Sequence, residues 1–255
     1  MAESGQIVRQ EQGPYTIELN KQTNYIKFVP REQEHKFSLI WLHGLGDSAH
    51  GFADVFADQR LGVVPPTCKV VLPTAPQRAV TCNGGVRMTS WYDILTLDRP
   101  SSLSVEESRA LMSQEEIRDS VRIVTALIDE EVASLNGQHN KVYIGGFSQG
   151  CAISLATFLL YPRGKLGGVI GCSGAHSAVL DYNTEVDLPL KRQTKMMLYH
   201  GEDDPMISAE TASKSYEEFT EHSLDFTFEK EPGLVHSLSM QEIKKFGEFF
   251  KSLMV

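Results

Sequence analysis

Long apolar runs are missing from this chain of 255 residues. None approaches the 18 or more residues that span a bilayer, so an integral membrane protein is not expected. A basic excess is missing too: 24 Lys and Arg stand against 33 Asp and Glu, a formal net charge of −9. Nucleic-acid binding rests on a basic footprint, so no nucleic-acid partner is expected. The same balance disfavours anionic lipid, and no stable membrane anchor is expected. Cysteine is scarce: Cys68, Cys82, Cys151 and Cys172 are too few and too scattered for a disulfide scaffold or a zinc motif. The opening MAESGQIVRQEQ has no apolar core for a secretory signal. Ala2 stands where N-myristoylation needs glycine. The expected compartment is the reducing cytoplasm. Repeats and low-complexity tracts are absent as well.

What remains is an ordinary globular composition, 41% hydrophobic and 22% charged. A chain of this size buries roughly 70–75% of its unfolded surface. Residues 15–19 and 25–29 alternate and are rich in aromatic and β-branched side chains, which reads as two strands at an edge. Strand-turn-helix units follow. Apolar runs at 37–42 (FSLIWL), 70–72, 142–147 (VYIGGF), 168–172 (GVIGC) and 196–199 (MMLY) read as strands buried on both faces, as in a parallel sheet covered by helices. Ile117, Val121, Val124, Ile128 and Val132 recur at helical spacing, as do Met240, Ile243, Phe246, Phe250 and Met254. Ser113 and Glu116 fit a capping box. The alternation predicts one α/β domain with a mostly parallel, doubly wound sheet over 37–255, and an N-terminal extension over 1–36 that carries an added strand pair. The stretch 95–112 is irregular and reads as a lid or binding loop.

Gly146-Phe147-Ser148-Gln149-Gly150 fits G-x-S-x-G, with an apolar strand before it and a helical segment (149–161) after it. That context demands a tight strand-to-helix turn that holds the serine strained and exposed. The following helix start offers free amides to a developing oxyanion. Serine is a poor nucleophile without a base and an orienting acid. Chain order Ser, Asp, His points downstream. Glu202, Asp203 and Asp204 compete for the acid, all just past a strand end. His236, in the loop before the last helix, is the natural general base. The turn His43-Gly44-Leu45-Gly46-Asp47 follows the 37–42 strand, which makes the backbone N–H groups of Leu45 and Gln149 the expected oxyanion pair.

Alternative chemistries fit less well. Gly44-Leu-Gly46-Asp-Ser-Ala49 matches a dinucleotide fingerprint, but the next strand ends in Pro73-Thr-Ala-Pro76, with no acid for a ribose. The HGEDD run has no second ligand cluster, so no metal and no cofactor are expected. His43 and His200 sit in turns after strands, where histidine often bonds backbone. Ser173 reads as a packed turn. Cys82, Cys151 and Cys172 read as small buried hydrophobes.

The stretches LIWLHGLGD (39–47), VLPTAPQRAVTCNGGVRMTSWYDI (71–94), VYIGGFSQG (142–150), HGEDDPMI (200–207) and the 235–237 loop resemble the acyl-protein thioesterase, lysophospholipase and carboxylesterase family of α/β-hydrolases. The resemblance runs over about residues 37–253. It implies Ser148 as nucleophile, His236 as base and, through the HGxxDP pattern, Asp204 as acid. Leu45 and Gln149 match the family's oxyanion positions. It also implies cleavage of fatty acyl thioesters or esters, with acylated proteins or lysophospholipids as substrates, and an apolar channel with Met88, Trp91 and Met206 as candidate walls. A homodimer is left open. Cys151 stands where the family often has glycine, and the 95–112 loop is longer than usual. Two alternatives remain: a short-chain carboxylesterase without acyl-protein activity, and a non-catalytic interaction module on a hydrolase scaffold.

Overall fold

Continuous apolar strands can be buried on both faces only if helices cover both faces. The computed structural model, which describes residues 7–97 and 103–255, shows that arrangement. Its strands are β1 (Ile7–Gln12), β2 (Tyr15–Asn20), β3 (Tyr25–Pro30), β4 (Phe37–Leu42), β5 (Cys68–Leu72), β6 (Gln77–Val80), β7 (Val86–Thr89), β8 (Val142–Phe147), β9 (Gly168–Cys172), β10 (Met196–Gly201) and β11 (Phe226–Glu231). Its helices are α1 (Ala53–Ala57), α2 (Val105–Ala110), α3 (Gln114–Ser134), α4 (Gln149–Leu160), α5 (Leu188–Lys191), α6 (Ala209–Ser215), α7 (Glu217–Glu221) and α8 (Met240–Leu253).

The main sheet runs β1-β2-β3-β5-β4-β8-β9-β10-β11. From β5 to β11 neighbouring strands are parallel, while β1, β2 and β3 join antiparallel at one edge. One apolar layer, with Ile117, Val124, Ile128 and Leu155, lies under α3 and α4. The other, with Trp41, Phe56, Phe246 and Phe250, lies under α1 and α8. This is an α/β-hydrolase architecture. The strand order reverses between β5-β4 and β8, and open α/β sheets bind ligands outside the carboxyl ends of strands at such a switch point. Leu42 pairs with Gly146 there, so the turns leaving β4 and β8 are neighbours.

Several local expectations need correction. The N-terminal set has three strands, because β1 precedes the expected pair; five of its six residues are exposed, so it carries no alternating apolar signal. The 95–112 stretch is not irregular throughout. Residues 98–102 lie outside the described residues, but α2 follows them, started by a capping box between Ser104 and Glu107. At α3, Ser113 accepts from the Glu116 N–H, yet the Glu116 carboxylate turns away to the Asp93 N–H at 2.6 Å and to Arg78, so the box is half formed. Cys151 and Cys172 are buried; Cys82 is only half-buried. Among the described residues no helix is long and apolar enough to cross a membrane.

Candidate active site

Ser148 follows β8 and precedes α4 with φ 55° and ψ −116°, a positive φ that costs a non-glycine residue strain. The turn is held by the Ser148 N–H, which donates to the Cys172 carbonyl at 2.8 Å. Such a sharp turn needs close backbone approach. A Cβ on Gly150 would fall 2.2 Å from the Leu42 carbonyl oxygen, so no larger residue fits. Cys151 is accommodated because glycine faces it: a Cβ on Gly171 would come 2.7 Å from its Sγ.

Two loops from the far side of the sheet complete the site. His236 Nε2 lies 2.9 Å from Ser148 Oγ, and His236 Nδ1 lies 2.7 Å from Asp204 Oδ2. Gly201 lets these loops meet, since a Cβ there would sit 2.1 Å from the Leu234 carbonyl oxygen. The Asp203 N–H donates to the same carbonyl and ties the acid loop to the histidine loop. Phe147 backs the imidazole with ring centroids 5.0 Å apart. Of the three competing acids, Asp204 is buried and bonded to His236; Glu202 and Asp203 are exposed. Burial alone would push the Asp204 carboxyl up, but hydrogen bonds from His200, His236 and the Ile207 amide outweigh it and hold it well below the usual aspartate range.

The amides of Leu45 and Gln149 flank Ser148 from the turns after β4 and β8. Neither donates to another group among the described residues. Both are braced. His43 Nδ1 donates to the Gly44 carbonyl at 2.6 Å while its Nε2 accepts from the Ala75 N–H at 3.0 Å, which sets the tautomer. A trans peptide opposes its C=O and N–H, so fixing the Gly44 carbonyl fixes the Leu45 N–H on the other side. Burial pushes the His43 imidazole below its ordinary range, consistent with that neutral role. The buried Gln149 side chain accepts from the Trp91 N–H at 2.7 Å and donates to the Tyr92 carbonyl at 2.7 Å, which locks the start of α4 to the 90–92 segment.

A cavity of about 240 Å³ opens over Ser148. Its apolar walls include Leu45, Tyr92, Ile94, Leu97, Ala152 and Met206, the last 39% exposed at the mouth. Trp91 and Met88 do not line it. Trp91 is fully buried, its indole N–H donating to the His43 carbonyl at 2.9 Å, so it supports the 43–47 turn from beneath. Met88 is half-buried, and its sulfur accepts from the Asn83 amide at 3.2 Å. The missed walls Tyr92 and Ile94 lie one and three residues past Trp91, within the stretch 71–94 that carried the family resemblance. Ser173 is buried with φ 46°, in the turn that backs the elbow. Among the described residues no group of three or more His, Cys, Asp or Glu is placed to hold a metal ion.

The chain matches the phospholipase/carboxylesterase family over residues 23–254. It is 36% identical over 218 residues to acyl-protein thioesterase 1 of Yarrowia lipolytica, covering 84% of this chain and 91% of that protein. It is 32% identical over 217 residues to carboxylesterase SOBER1 of Arabidopsis thaliana, covering 84% of this chain and 89% of that protein. The crystal structure of Arabidopsis SOBER1 superposes with a TM-score of 0.75 at 30% identity, covering 86% of this chain and all of that one (100%). A crystal structure of Zea mays acyl-protein thioesterase 2, 22% identical over 91% of this chain and 99% of that one, shares the fold with a TM-score of 0.71. The family match, the identity to relatives and the shared fold each extend over most of the chain, and the protein belongs to the phospholipase/carboxylesterase family of α/β-hydrolases.

Proposed function

We propose that this chain is an acyl-protein thioesterase that hydrolyses fatty acyl thioesters and esters through an acyl-Ser148 intermediate. The observation that carries the reading is the unbroken contact series from Ser148 Oγ through His236 to Asp204 at 2.9 and 2.7 Å. His236 Nε2 takes the Ser148 hydroxyl proton as Oγ attacks the acyl carbonyl. Asp204 accepts from Nδ1–H, fixes the tautomer and balances the imidazolium. The Leu45 and Gln149 amides receive the oxyanion. His236 returns the proton to the departing thiolate or alkoxide. Water, deprotonated by His236, then frees the fatty acid from Ser148. Acylated proteins or lysophospholipids are the substrates. None of the four cysteines is in a disulfide, which suits action in the reducing cytoplasm.

A second reading, a carboxylesterase of shorter acyl chains, is favoured by cavity size. The hollow of about 240 Å³ lies below the roughly 300–1,000 Å³ of ordinary small-molecule pockets. A second, nearly filled hollow of about 20 Å³ shares Ala175 and Ser177 with it and has Leu103, Val105 and Met112 as apolar walls. A long chain would extend into it by displacing those side chains. The deciding experiment pairs Ser148→Ala with a series of thioesters and esters from short to long acyl chains. Hydrolysis should fall by about 10⁴-fold or more in the variant, and a fluorophosphonate should label the wild type only. Near wild-type turnover in Ser148→Ala would sink the mechanism. A steep optimum at short chains would replace the thioesterase reading with the carboxylesterase one.

A further inference from the structure

We infer that His200 is a positioning residue for hydrolysis, a second hydrogen-bond donor that shares Asp204 Oδ2 with His236 and aims the carboxylate at it. The inference rests on the proposed Ser148 mechanism and adds a member to its support.

His200 is the penultimate residue of β10, and its side chain is fully buried. Its Nε2 lies 2.7 Å from the Ile207 carbonyl oxygen. A carbonyl only accepts, so Nε2 carries the hydrogen. The same nitrogen faces Asp204 Oδ2 at 3.3 Å, the oxygen that lies 2.7 Å from His236 Nδ1. The other Asp204 oxygen is occupied: Oδ1 accepts from the Met206 N–H at 2.8 Å and the Ile207 N–H at 3.0 Å. The carboxylate is therefore gripped along both edges, and among the described residues His200 provides the only grip on Oδ2 that comes from the sheet rather than from a loop. His200 Nδ1 is buried without a partner among the described residues, so the ring spends a buried polar atom to keep Nε2 on Asp204 and Ile207. An apolar side chain would fill this position against Phe228 without that cost.

Two consequences follow from the shared oxygen. First, a carboxylate held at both oxygens cannot swing, so the line from Asp204 to His236 to Ser148 stays set between turnovers. Second, a donor on Oδ2 withdraws negative charge from the oxygen that His236 Nδ1–H meets, which tunes the strength of that bond. Because Ile207 also borders the cavity, His200 links the acid to the substrate wall.

Removing the donor should lower kcat with little change in KM, by about 10- to 100-fold, the effect of losing one charge-assisted hydrogen bond. His200→Gln reaches the Nε2 position with an N–H, whereas His200→Asn stops short of it. The expected order in kcat is wild type, then Gln, then Asn, with His200→Leu at or below Asn. The downfield proton resonance of the His236 Nδ1–H should move in Asn and Leu and return toward wild type in Gln. Should Leu fail to fold, the Gln and Asn pair alone decides. Equal kcat for Gln and Asn, or a loss confined to KM, overturns the positioning role, because a purely structural wall effect would act through Ile207. Ser148→Ala, assayed beside them, separates the failures: if it stays active, the hydrolytic mechanism itself falls, and if it is dead while His200→Asn matches wild type, only this inference does.

Discussion

Asp204, in the loop after β10, and Glu242, in the first turn of α8, have buried side chains at the same end of the sheet, yet they sit on opposite sides of the charge question. Asp204 accepts from the Met206 and Ile207 amides and from His236, with His200 beside it. These donors outweigh burial and hold its carboxyl well below the aspartate range. Glu242 is just as hidden, but among the described residues Oε1 has no close hydrogen-bond partner and the carboxyl has only weak donors, the Ser239 N–H at 3.4 Å and the Cys172 thiol. Burial therefore pushes its carboxyl up to about 8. The lesson is that donors, not depth, decide whether a buried carboxyl is charged at neutral pH. One region is organised to keep a negative charge next to an imidazole. The other caps a helix with a group that is mostly protonated.

The largest effect should come from erasing the charge at the first site. Asp204→Asn keeps the shape but presents an amide that can donate to His236, favouring the wrong tautomer. We expect kcat for ester hydrolysis to fall by about 10³- to 10⁴-fold, with circular dichroism unchanged. A loss under tenfold would show that Asp204 does not orient His236.

A smaller effect should follow at the second site, and on stability rather than rate. Glu242 has a folded pKa of about 8 against an ordinary value of 4.5, so the folded state binds the extra proton between them. Its contribution is fully present below pH 4.5 and is lost as pH rises through 8. Asp204, depressed in the fold, has the opposite sign: its contribution is present above the aspartate range and fades as pH falls below it. Glu242→Gln should therefore remove part of the fall in stability from acid toward pH 8. Its gain over wild type by urea unfolding should be larger at pH 8 than at pH 5, on the order of a few kcal/mol. A constant difference across that window would mean that Glu242 is not protonated in the fold.

The smallest effect is a test of the neighbour. Glu231, bonded by Tyr199 Oη at 2.8 Å and Ser239 Oγ at 2.6 Å, adds negative charge that raises Glu242 slightly. Glu231→Gln keeps an acceptor and removes the charge. The upper end of the pH-dependent stability fall should move down by a fraction of a pH unit. Movement upward would show that Glu231 does not act on Glu242 through its charge.

Much of the fold was legible because its signals are local. Phe37–Leu42, Val142–Phe147 and Gly168–Cys172 are apolar runs that need no partner to be recognised as strands. The elbow was legible for the same reason, since glycine spacing and a strand-to-helix change lie within a dozen residues. What was missed lacks that kind of signal. β1 is a polar edge strand whose strandedness comes from its ladder with β2. The hairpin of β6 and β7 is four residues on each side, too short for periodicity. At the wall, the resemblance implied Trp91, which lies in the stretch 71–94 that carries it. Its N–H instead found the His43 carbonyl underneath, and the neighbouring Tyr92 and Ile94 line the cavity.

By itself, the amino-acid sequence determined the buried parallel strands and the long helices between them, the strained turn at Ser148 and the succession of serine, acidic cluster and histidine along the chain. These follow from side-chain periodicity and from backbone preferences within a few residues. The resemblance had already implied Asp204 as the acid, but only the tertiary structure brought its carboxylate to His236, set His200 beside the same oxygen, made Trp91 a support rather than a wall, and buried Glu242 where its carboxyl is pushed up. Ser148 and His236 are 88 residues apart and Asp204 and His236 are 32 apart, so their contacts exist only once the sheet has brought the strand ends together. Charge state depends on who donates to a group after water has left, and that is a property of the assembled neighbourhood rather than of the residue.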